Sequence, residues 1–300
     1  MIEIELKYQV TLKENNWTVS DVLRKKLDVS TRLLNKLKMN EKILVNSIPV
    51  FSNFIVHTND FILVKIDFDE TDFIQPEQID LDIIYEDDFF LAINKIPGMV
   101  VHPSSNHLSN TLANGVKYYL NNKKKIRPIN RLDRDTSGIV LFAKNEYIQE
   151  LMIKKTKINK EYLAIVEGIP QNAHGIINLP IARKPGSIME RYVSKEGQEA
   201  ITEYEVIEVL NQPKLSLLKI KLHTGRTHQI RVHLSHLGMP ILGDTLYGQK
   251  SELIKRQALH AYSIKFIHPI TKAVISLIAS PSSDFLNIQN NFIGYNKKNK

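Results

Sequence analysis

The sequence predicts an α+β protein in which a small N-terminal domain precedes a larger domain, built on a mixed, mainly antiparallel β-sheet flanked by helices. The chain has 300 residues and is 43% hydrophobic, which suffices to fill two cores. Beyond residue 80, apolar runs typical of strands alternate with short segments of helical periodicity. The sign of the charge reverses before that point, which indicates a domain boundary.

The N-terminal segment predicts two short helices and a small sheet. In TVSDVLRKKL, apolar residues recur at helical spacing from Val19 to Leu27, and Thr18 or Ser20 is a candidate N-cap. Ser30 can cap a second helix through STRLLNKLKMN, in which leucines form an apolar stripe. KILVNSIPV and DFILVKI then have the composition of short strands.

Charge divides the chain into its predicted parts. Seven basic residues lie between positions 24 and 42, accompanied by two acids. From Asp67 to Asp88 there are ten acids and no Lys or Arg, and Pro76 lies inside this stretch. A charge reversal around a proline is typical of a linker. We therefore predict domains over residues 1–70 and 81–300, joined by an acidic linker over residues 71–80.

The sequence of the second domain predicts several strands and three helices. Apolar runs and alternation predict strands in DIIYEDDFFLAINK, GIVLFAK, KEYLAIVEG, LSLLKIKLHTG and AVISLIA. Helical spacing predicts helices in SNTLANGVKYYL, EYIQELMIKK and THQIRVHLSHL. Interleaved strands and short helices of this kind favour the α+β class.

Composition limits the classes of protein. The net charge of +8 and the pI near 9.3 favour a polyanionic partner such as nucleic acid, although ordinary solubility charge gives the same balance. The absence of cysteine excludes disulfides, thiolate zinc sites and cysteine nucleophiles. The opening MIEIELKYQV lacks the apolar core of a signal peptide, and no run approaches the ~20 apolar residues of a membrane helix. We therefore expect a cytoplasmic protein that does not enter a membrane.

The stretch RPINRLDRDTSG places Asp133 and Asp135 among three arginines, directly before an apolar strand. Such a cluster is either a set of solvated salt bridges or a site where a carboxylate is held ionised for chemistry. Two acids at this spacing also admit the paired carboxylates of glycosidases. The neighbouring arginines and the Thr-Ser-Gly turn favour a structural role for Asp135, as partner of an arginine or cap of the turn. Asp133 is the candidate for chemistry.

Five motifs follow one another in the second domain, namely LDIIYEDDFFLAINKIPGMVVHP, INRLDRDTSGIVLFAKN, KEYLAIVEG, HTGRTHQIRVHLSHLGMPILGDTLYG and ALHAYSIKFIHP. Over residues 80–280 this series resembles the catalytic domain of the RluA/RluD-type pseudouridine synthases. One departure is Asn130, where the family commonly has histidine. The resemblance implies an isomerase that breaks the bond from ribose to the ring nitrogen of uridine and remakes it through carbon, without a cofactor.

The resemblance also implies which residues act. It places the catalytic aspartate at Asp133, its arginine partner at Arg226, and at Tyr162 a tyrosine that stacks on the base and assists proton removal. An arginine of this kind offsets burial, which alone would raise the pKa of a carboxyl group. A uracil in an RNA stem has to leave the stack, at a cost of a few kcal/mol. The resemblance implies that Arg131 helps to occupy the vacated space and that Leu259 packs near the flipped base.

Residues 13–66 resemble the alpha-L RNA-binding module, with two short helices, the second rich in basic residues, and a small sheet. The resemblance implies a partner, RNA, with ribosomal RNA or an assembling large subunit ahead of transfer RNA. The implied RNA-binding residues are Arg24, Lys25, Lys26, Arg32 and Lys36. Ser47 stands where the pattern usually has a glycine in a VNG turn, so the tip of that hairpin is expected to differ. A solvated basic face on an accessory domain is the alternative, and we expect a monomer.

Four histidines, His223, His228, His233 and His236, lie close together in the sequence. Their spacing does not place three on one helical or strand face, and no carboxylate motif accompanies them, so we predict no metal site. Packing and phosphate contacts by His228, Gln229 and Arg231 are the favoured interpretation.

Two other functions stay open at this point. A non-catalytic RNA-binding protein of the same fold would be favoured if Asp133, Tyr162 or Arg226 were replaced, and all three are present. An RNA hydrolase or glycosidase built on Asp133 and Asp135 would release free uracil or cleave the strand. The identity of the RNA and of the uridine is not encoded in these motifs, because target choice depends on surface shape and RNA fold.

Overall fold

The computed structural model describes residues 4–66, 72–104, 107–121 and 125–298, so the start of the predicted acidic stretch, residues 67–71, lies outside the described residues. These residues form sheets of four and ten strands, a separate two-stranded sheet and six α-helices. The predicted α+β class and the mainly antiparallel sheet are confirmed. No helix in the described ranges is long and apolar enough to cross a bilayer.

The N-terminal domain is an antiparallel sheet packed against two helices. Its strands lie in the order β1-β4-β2-β3. The elements are β1 Ile4–Gln9, α1 Val19–Lys25, α2 Thr31–Met39, β2 Ile43–Val45, β3 Ile48–Pro49 and β4 Phe61–Ile66. Of these, β1 was absent from the prediction, although Ile4, Leu6 and Tyr8 alternate with polar residues as in a half-buried strand.

Local side-chain chemistry sets the boundaries of these elements. The Thr18 hydroxyl accepts a hydrogen bond from the Asp21 amide at 3.1 Å, and the Ser30 hydroxyl accepts one from the Leu33 amide at 3.1 Å, so both helices are capped. The β2–β3 hairpin turns at Asn46 and Ser47, with φ values of 50° and 69°. Glycine adopts this left-handed region at lower cost than serine. The hairpin therefore forms despite the departure at position 47.

The larger domain is organised around the ten-stranded sheet. The order is β10-β13-β14-β9-β15-β8-β6-β5, with β16 beside β15 and β7 beside β8. Among the described strands β8 and β15 pair in parallel, and the other pairs are antiparallel. The strands are β5 Ile83–Glu86, β6 Phe90–Lys95, β7 Arg127–Pro128, β8 Ser137–Ala143, β9 Asn159–Glu167, β10 His174–Asn178, β13 Ile201–Asn211, β14 Lys214–Leu222, β15 Leu259–Ile267 and β16 Val274–Ile278.

Some strands were not predicted. A small hairpin, β11 Ile181–Arg183 with β12 Arg191–Val193, lies outside the large sheet. The longest strand, β13, alternates buried Thr202 and Tyr204 with more exposed glutamates, so its sequence does carry the period of two. Strong alternation in a charged segment is thus a usable strand signal even without an apolar run.

Four helices flank the large sheet, and three of them were predicted. They are α3 Leu112–Tyr119, α4 Glu146–Lys154, α5 Gln229–His236 and α6 Ser283–Lys298, the last being an addition to the prediction. Thr111 caps α3 and Asn145 caps α4 by accepting hydrogen bonds from backbone amides at the N3 position.

The N-terminal part of the chain and the large sheet share a hydrophobic cluster. It contains Leu23 and Leu37 from the N-terminal domain together with Phe90, Leu141 and Leu151 from the larger one. Polar contacts accompany it, since the Tyr147 hydroxyl of α4 donates to the Leu27 carbonyl at 2.6 Å. The N-terminal domain is therefore packed on helix α4, in addition to being joined through the chain.

The described part of the predicted linker packs on the larger domain. Asp72 pairs with Lys117 of α3 at 2.8 Å and accepts a hydrogen bond from the Ile126 amide at 2.9 Å. Ile74 is buried in a cluster with Val116. Residues 72–81 thus form an extended segment anchored to α3, because its apolar and acidic side chains both find partners there.

Candidate active site

A cavity of about 820 Å³ opens on the face of the large domain where β9, the loop before β8 and the loop before α5 meet. This volume is within the range of ligand sites in proteins, roughly 300–1,000 Å³. The cavity brings together all five residues predicted for catalysis and base binding, namely Arg131, Asp133, Tyr162, Arg226 and Leu259.

Asp133 lies in a tight turn between β7 and β8. The Thr136 amide donates to the Asp133 carbonyl at 3.1 Å, which closes the turn. Asn130 fixes the preceding residues, because its side-chain amide donates to the Ile139 carbonyl and accepts from the Leu141 amide along β8. Asn130 is thus a structural clamp in this chain.

The side chain of Lys95, at the end of β6, holds the same turn in place. Its ammonium group donates to the carbonyls of Ile96, Met99 and Arg134 at 2.8–2.9 Å, and the residue is 1% exposed. Burial lowers the pKa of Lys95 to about 7, against the attraction of Asp135 and Asp133. Through its hydrogen bond to the Arg134 carbonyl, Lys95 therefore connects the last residue of β6 to the turn that holds Asp133.

The arginine that pairs with Asp133 is Arg231, on α5. Its Nη1 donates to the Asp133 carboxylate at 2.9 Å, while Nε and Nη2 donate to Asp244 at 2.7 and 2.9 Å. The side chain of Asp244 is fully buried and that of Asp133 is 27% exposed. Burial acts to lower the pKa of Arg231, but Asp244 and Asp133 outweigh it and raise that pKa, so the guanidinium stays charged.

The pairing predicted between Asp133 and Arg226 is wrong. Arg226 lies in the loop before α5, lines the cavity, and donates from Nε to the Glu199 carbonyl at 2.9 Å. Helix α5 instead carries Arg231 between the two carboxylates, at a position for which packing and phosphate contacts were predicted. The one related signal in the sequence is an aspartate inside the apolar segment PILGDTLYG, and it does not distinguish Arg231 from Arg226.

His228 completes the polar side of the cavity. Its Nε2 lies 3.7 Å from the Asp133 carboxylate, and its Nδ1 lies 2.8 Å from the Tyr247 hydroxyl. The residue has a left-handed φ of 57°, an uncommon conformation for a residue with a Cβ. Burial lowers the pKa of His228 despite the attraction of Asp133, which favours a neutral ring.

Tyr162 lies on β9 with its ring against the apolar part of the cavity. The residue is 7% exposed and pairs in register with Ile220 on one side and Ala261 on the other. Burial, followed by the negative charge of Asp133, raises the pKa of the Tyr162 hydroxyl. The side chain is therefore a neutral phenol at physiological pH.

The two residues predicted to assist base flipping differ in exposure. Arg131 is exposed at the edge of the cavity, whereas Leu259 is 4% exposed and lies at the start of β15. Arg131 therefore offers an exposed cation at the edge of the cavity, and Leu259 offers an apolar contact inside it.

The five predicted RNA-binding residues lie on or beside α1 and α2 and do not line the cavity. Lys25 pairs with Asp21 at 2.8 Å, and Lys26 pairs with Glu14 at 2.7 Å. Arg32 and Lys36 both approach Glu146 of α4, at 3.3 and 3.4 Å. Arg24 is exposed. Several of these cations therefore have acidic partners within the protein.

Asp135, His223 and His233 have structural partners outside the cavity. Asp135 pairs with Arg134 at 3.0 Å, as predicted, and does not line the cavity. His223 contacts Glu203 at 2.8 Å, and His233 is buried between Thr202 and the Leu179 carbonyl. Within the described ranges no group of three or more His, Asp or Glu side chains has the arrangement of a metal site.

Comparison with known proteins shows to which family the chain is similar. The sequence profile of the RNA pseudouridylate synthase family matches residues 89–236, a range that holds Asp133, Tyr162 and Arg231. Human RNA Pseudouridylate Synthase Domain Containing 1 is similar in fold, with a TM-score of 0.56 and 25% identity, covering 67% of this chain and 84% of that one.

Full-length relatives extend the similarity. An uncharacterized RNA pseudouridine synthase of Bacillus subtilis (strain 168), YhcT, is 37% identical over 289 residues, 94% of this chain and 96% of its own. Ribosomal large subunit pseudouridine synthase D of Pasteurella multocida (strain Pm70) is 37% identical over 247 residues, 76% of this chain and 75% of its own. The chain therefore belongs to the RluA/RluD-type family of RNA pseudouridine synthases, which are isomerases that act on RNA.

Proposed function

We propose that this enzyme isomerises specific uridines in large-subunit ribosomal RNA, by flipping the base and by an aspartate-dependent rearrangement of the glycosidic bond. The observation that carries the proposal is the Asp133 carboxylate, held at 2.9 Å by Arg231 in a cavity of nucleotide size. The choice of RNA is supported by relatives named as ribosomal large subunit pseudouridine synthase D, which are 37% and 40% identical to this chain.

The chemistry requires a carboxylate against the sugar, acting as nucleophile or as base. The bond from ribose to the ring nitrogen breaks, the base turns over and the bond to ring carbon forms. That carbon then loses its proton and the released nitrogen takes one up, so the product is an isomer of uridine. Asp133 is suited to this because Arg231 supplies a counter-charge and Asp244 holds the guanidinium from its other edge. Tyr162 stacks on the base, and its neutral hydroxyl relays the proton that carbon loses, accepting it while giving up its own.

Flipping and docking involve residues outside this core. Arg131 occupies the space that the base vacates, and Leu259 packs against the flipped base. Arg226 does not pair with Asp133, and its charge at the cavity wall binds a phosphate of the RNA backbone. The N-terminal domain acts as an alpha-L type RNA-binding domain, and the enzyme works as a monomer in the cytoplasm on RNA or an assembling large subunit.

The alternative of a glycosidase loses support from the position of Asp135. Two acting carboxylates have to face the same sugar. The Asp135 side chain instead pairs with Arg134 and does not line the cavity. A rearrangement that uses Asp133 as its single carboxylate therefore fits the site better than a glycosidase mechanism does.

The test is to map pseudouridine in total RNA from a deletion strain and from its parent. We expect one or a few uridines of large-subunit ribosomal RNA to lose the modification and to regain it when the wild-type gene is returned, but not with Asp133→Asn. Loss confined to transfer RNA would overturn the choice of substrate. Release of uracil or strand cleavage by the purified protein would overturn isomerisation.

A further inference from the structure

Lys160 is a cation of the cavity to which the mechanism above gives no role. It lies on β9 two residues before Tyr162, so both side chains leave the strand on the same face. Its position in the sheet is fixed on both sides, by pairing with Leu222 of β14 and Ile264 of β15. Lys160 lines the same cavity as Asp133.

The ammonium group of Lys160 lies beside the loop before α5. A Cβ atom built on Gly225 would be 3.8 Å from Nζ, and that is the closest heavy-atom approach at this glycine. Gly225 itself lines the cavity and directly precedes Arg226. The absence of a side chain at position 225 thus leaves open space next to the cation.

Lys160 is partly buried, yet within the described ranges its ammonium group has no hydrogen bond and no ion pair. Its neighbours differ in this respect. On β14, Lys219 pairs with Glu161 at 3.1 Å and Lys221 pairs with Glu203 at 3.6 Å. The buried cation of the catalytic turn, Lys95, has three carbonyl partners.

A cation in this position is unfavourable unless an anion joins it. Burial lowers the pKa of Lys160, which shows that the surroundings oppose the charge. No carboxylate offsets this effect, because burial is the one influence on that pKa, and Asp133, the carboxylate of the cavity, already accepts from Arg231. An anionic ligand that enters the cavity would offset the burial of this charge.

A uridine within RNA brings such an anion, because a phosphate flanks it on each side. We propose that Lys160 is a phosphate-binding residue of this active site, and that its ammonium group contacts a phosphate next to the flipped uridine. The inference rests on the proposed function, in that a nucleotide of RNA has to enter the cavity. Lysine suits the task because a point charge on a flexible stem binds phosphate without a fixed geometry.

The test compares three small probes, uridine, uridine 5′-monophosphate and uridine 3′-monophosphate, in binding titrations followed by NMR. The proteins are the wild type, Lys160→Met, which keeps the apolar stem, and Lys160→Arg. Lys265→Met is the matched control, since Lys265 is an exposed lysine on β15 outside the cavity. Wild type should bind at least one nucleotide about tenfold more tightly than uridine, the gain of one charged hydrogen bond.

We expect Lys160→Met to lose most of the preference for one of the two nucleotides over uridine, while Lys160→Arg and Lys265→Met keep most of the preference of wild type. The nucleotide that loses affinity identifies the phosphate on the 5′ or the 3′ side. An unchanged preference for both nucleotides in Lys160→Met would overturn the proposal, and so would a wild type that does not distinguish them from uridine.

Single-turnover rates on ribosomal RNA from the deletion strain supply the second readout. Lys160→Met should raise the enzyme concentration at half-maximal rate about tenfold and change the maximal rate little, because the phosphate contact is present before and during the reaction. A lost maximal rate with unchanged half-saturation would place Lys160 in the chemical step and overturn the proposal. If wild type failed on this RNA, the proposed substrate would be wrong, while the nucleotide titrations would still decide the role of Lys160.

Discussion

Asp133 accepts a 2.9 Å hydrogen bond from Arg231, a residue 98 positions further along the chain, and the same guanidinium donates twice to the buried Asp244. One arginine thus bridges an aspartate in the cavity and an aspartate in the core. Asp244 accepts from Nε and Nη2 of Arg231, and this fixes the guanidinium so that Nη1 already points at Asp133 before the substrate binds.

Replacing Asp133 by Asn should abolish isomerisation and leave the fold intact. Asparagine is nearly isosteric but cannot act as an anionic nucleophile or base, so the rate should fall at least about 10⁴-fold. Arg231 keeps its two bonds to Asp244, so the thermal midpoint should stay close to that of wild type. Single-turnover assays and thermal unfolding check both parts, and substantial pseudouridine formation by Asp133→Asn would remove Asp133 from the chemistry.

Arg231→Lys should mainly lower the maximal rate, whereas Arg226→Ala should mainly weaken RNA binding. A single ammonium cannot bridge Asp133 and Asp244, so Arg231→Lys should lower the maximal rate about 10²-fold or more. Arg226→Ala leaves that bridge in place and should keep the maximal rate within about tenfold while weakening RNA binding. Arg231→Ala is a poor test, because an unpaired buried Asp244 costs about 3–5 kcal/mol of stability. A near-inactive Arg226→Ala beside an active Arg231→Lys would reverse the two roles.

Tyr162→Phe should keep RNA affinity and lose about 10²-fold in maximal rate, because the ring still stacks but the hydroxyl no longer assists proton removal. Tyr162→Leu should lose affinity as well. Since burial and Asp133 raise the pKa of the Tyr162 hydroxyl, the rate of wild type should show no inflection from its ionisation below pH 10. A rate for Tyr162→Phe equal to wild type would leave only the stacking role.

Lys95 should make stability depend on pH in a defined direction. Its folded pKa of about 7 lies below the usual 10.5, so between these values the unfolded chain binds more protons and stability rises with pH. In urea denaturation, the unfolding free energy of wild type minus that of Lys95→Met should increase by about 2 kcal/mol from pH 7 to pH 9, because only wild type titrates at this position. A constant difference would mean that the three carbonyl partners keep Lys95 charged throughout.

Glu146→Gln should strengthen RNA binding at low salt. Glu146 now contacts Arg32 and Lys36, two residues predicted to bind phosphates. Arg32 is 78% exposed, so its pair with Glu146 contributes little and RNA can displace it. Removing the acid should steepen the slope of log affinity against log salt by up to about 0.9 per phosphate gained. Unchanged slopes for Glu146→Gln would show that this face of the N-terminal domain does not meet RNA.

The elements of this chain were largely readable from its sequence. Capping residues such as Thr18 and Ser30, apolar periodicity and apolar runs predicted both N-terminal helices and most strands, because these signals act within a few residues. The motifs likewise predicted the residues that line the cavity, since each belongs to a short quoted segment. Charged strands such as β13 were missed where alternation lacked an apolar run.

Contacts between distant segments were decided by the tertiary structure alone. Arg226 and Arg231 lie five residues apart in one motif, and local sequence gives each the same claim to Asp133. The packing of α5 decides between them, because it buries Asp244 beside Arg231 and leaves Arg226 in a loop against Glu199. The docking of the N-terminal domain through Glu146 has the same origin. Ion pairs across the fold depend on which charges burial brings together, and sequence spacing does not contain that information.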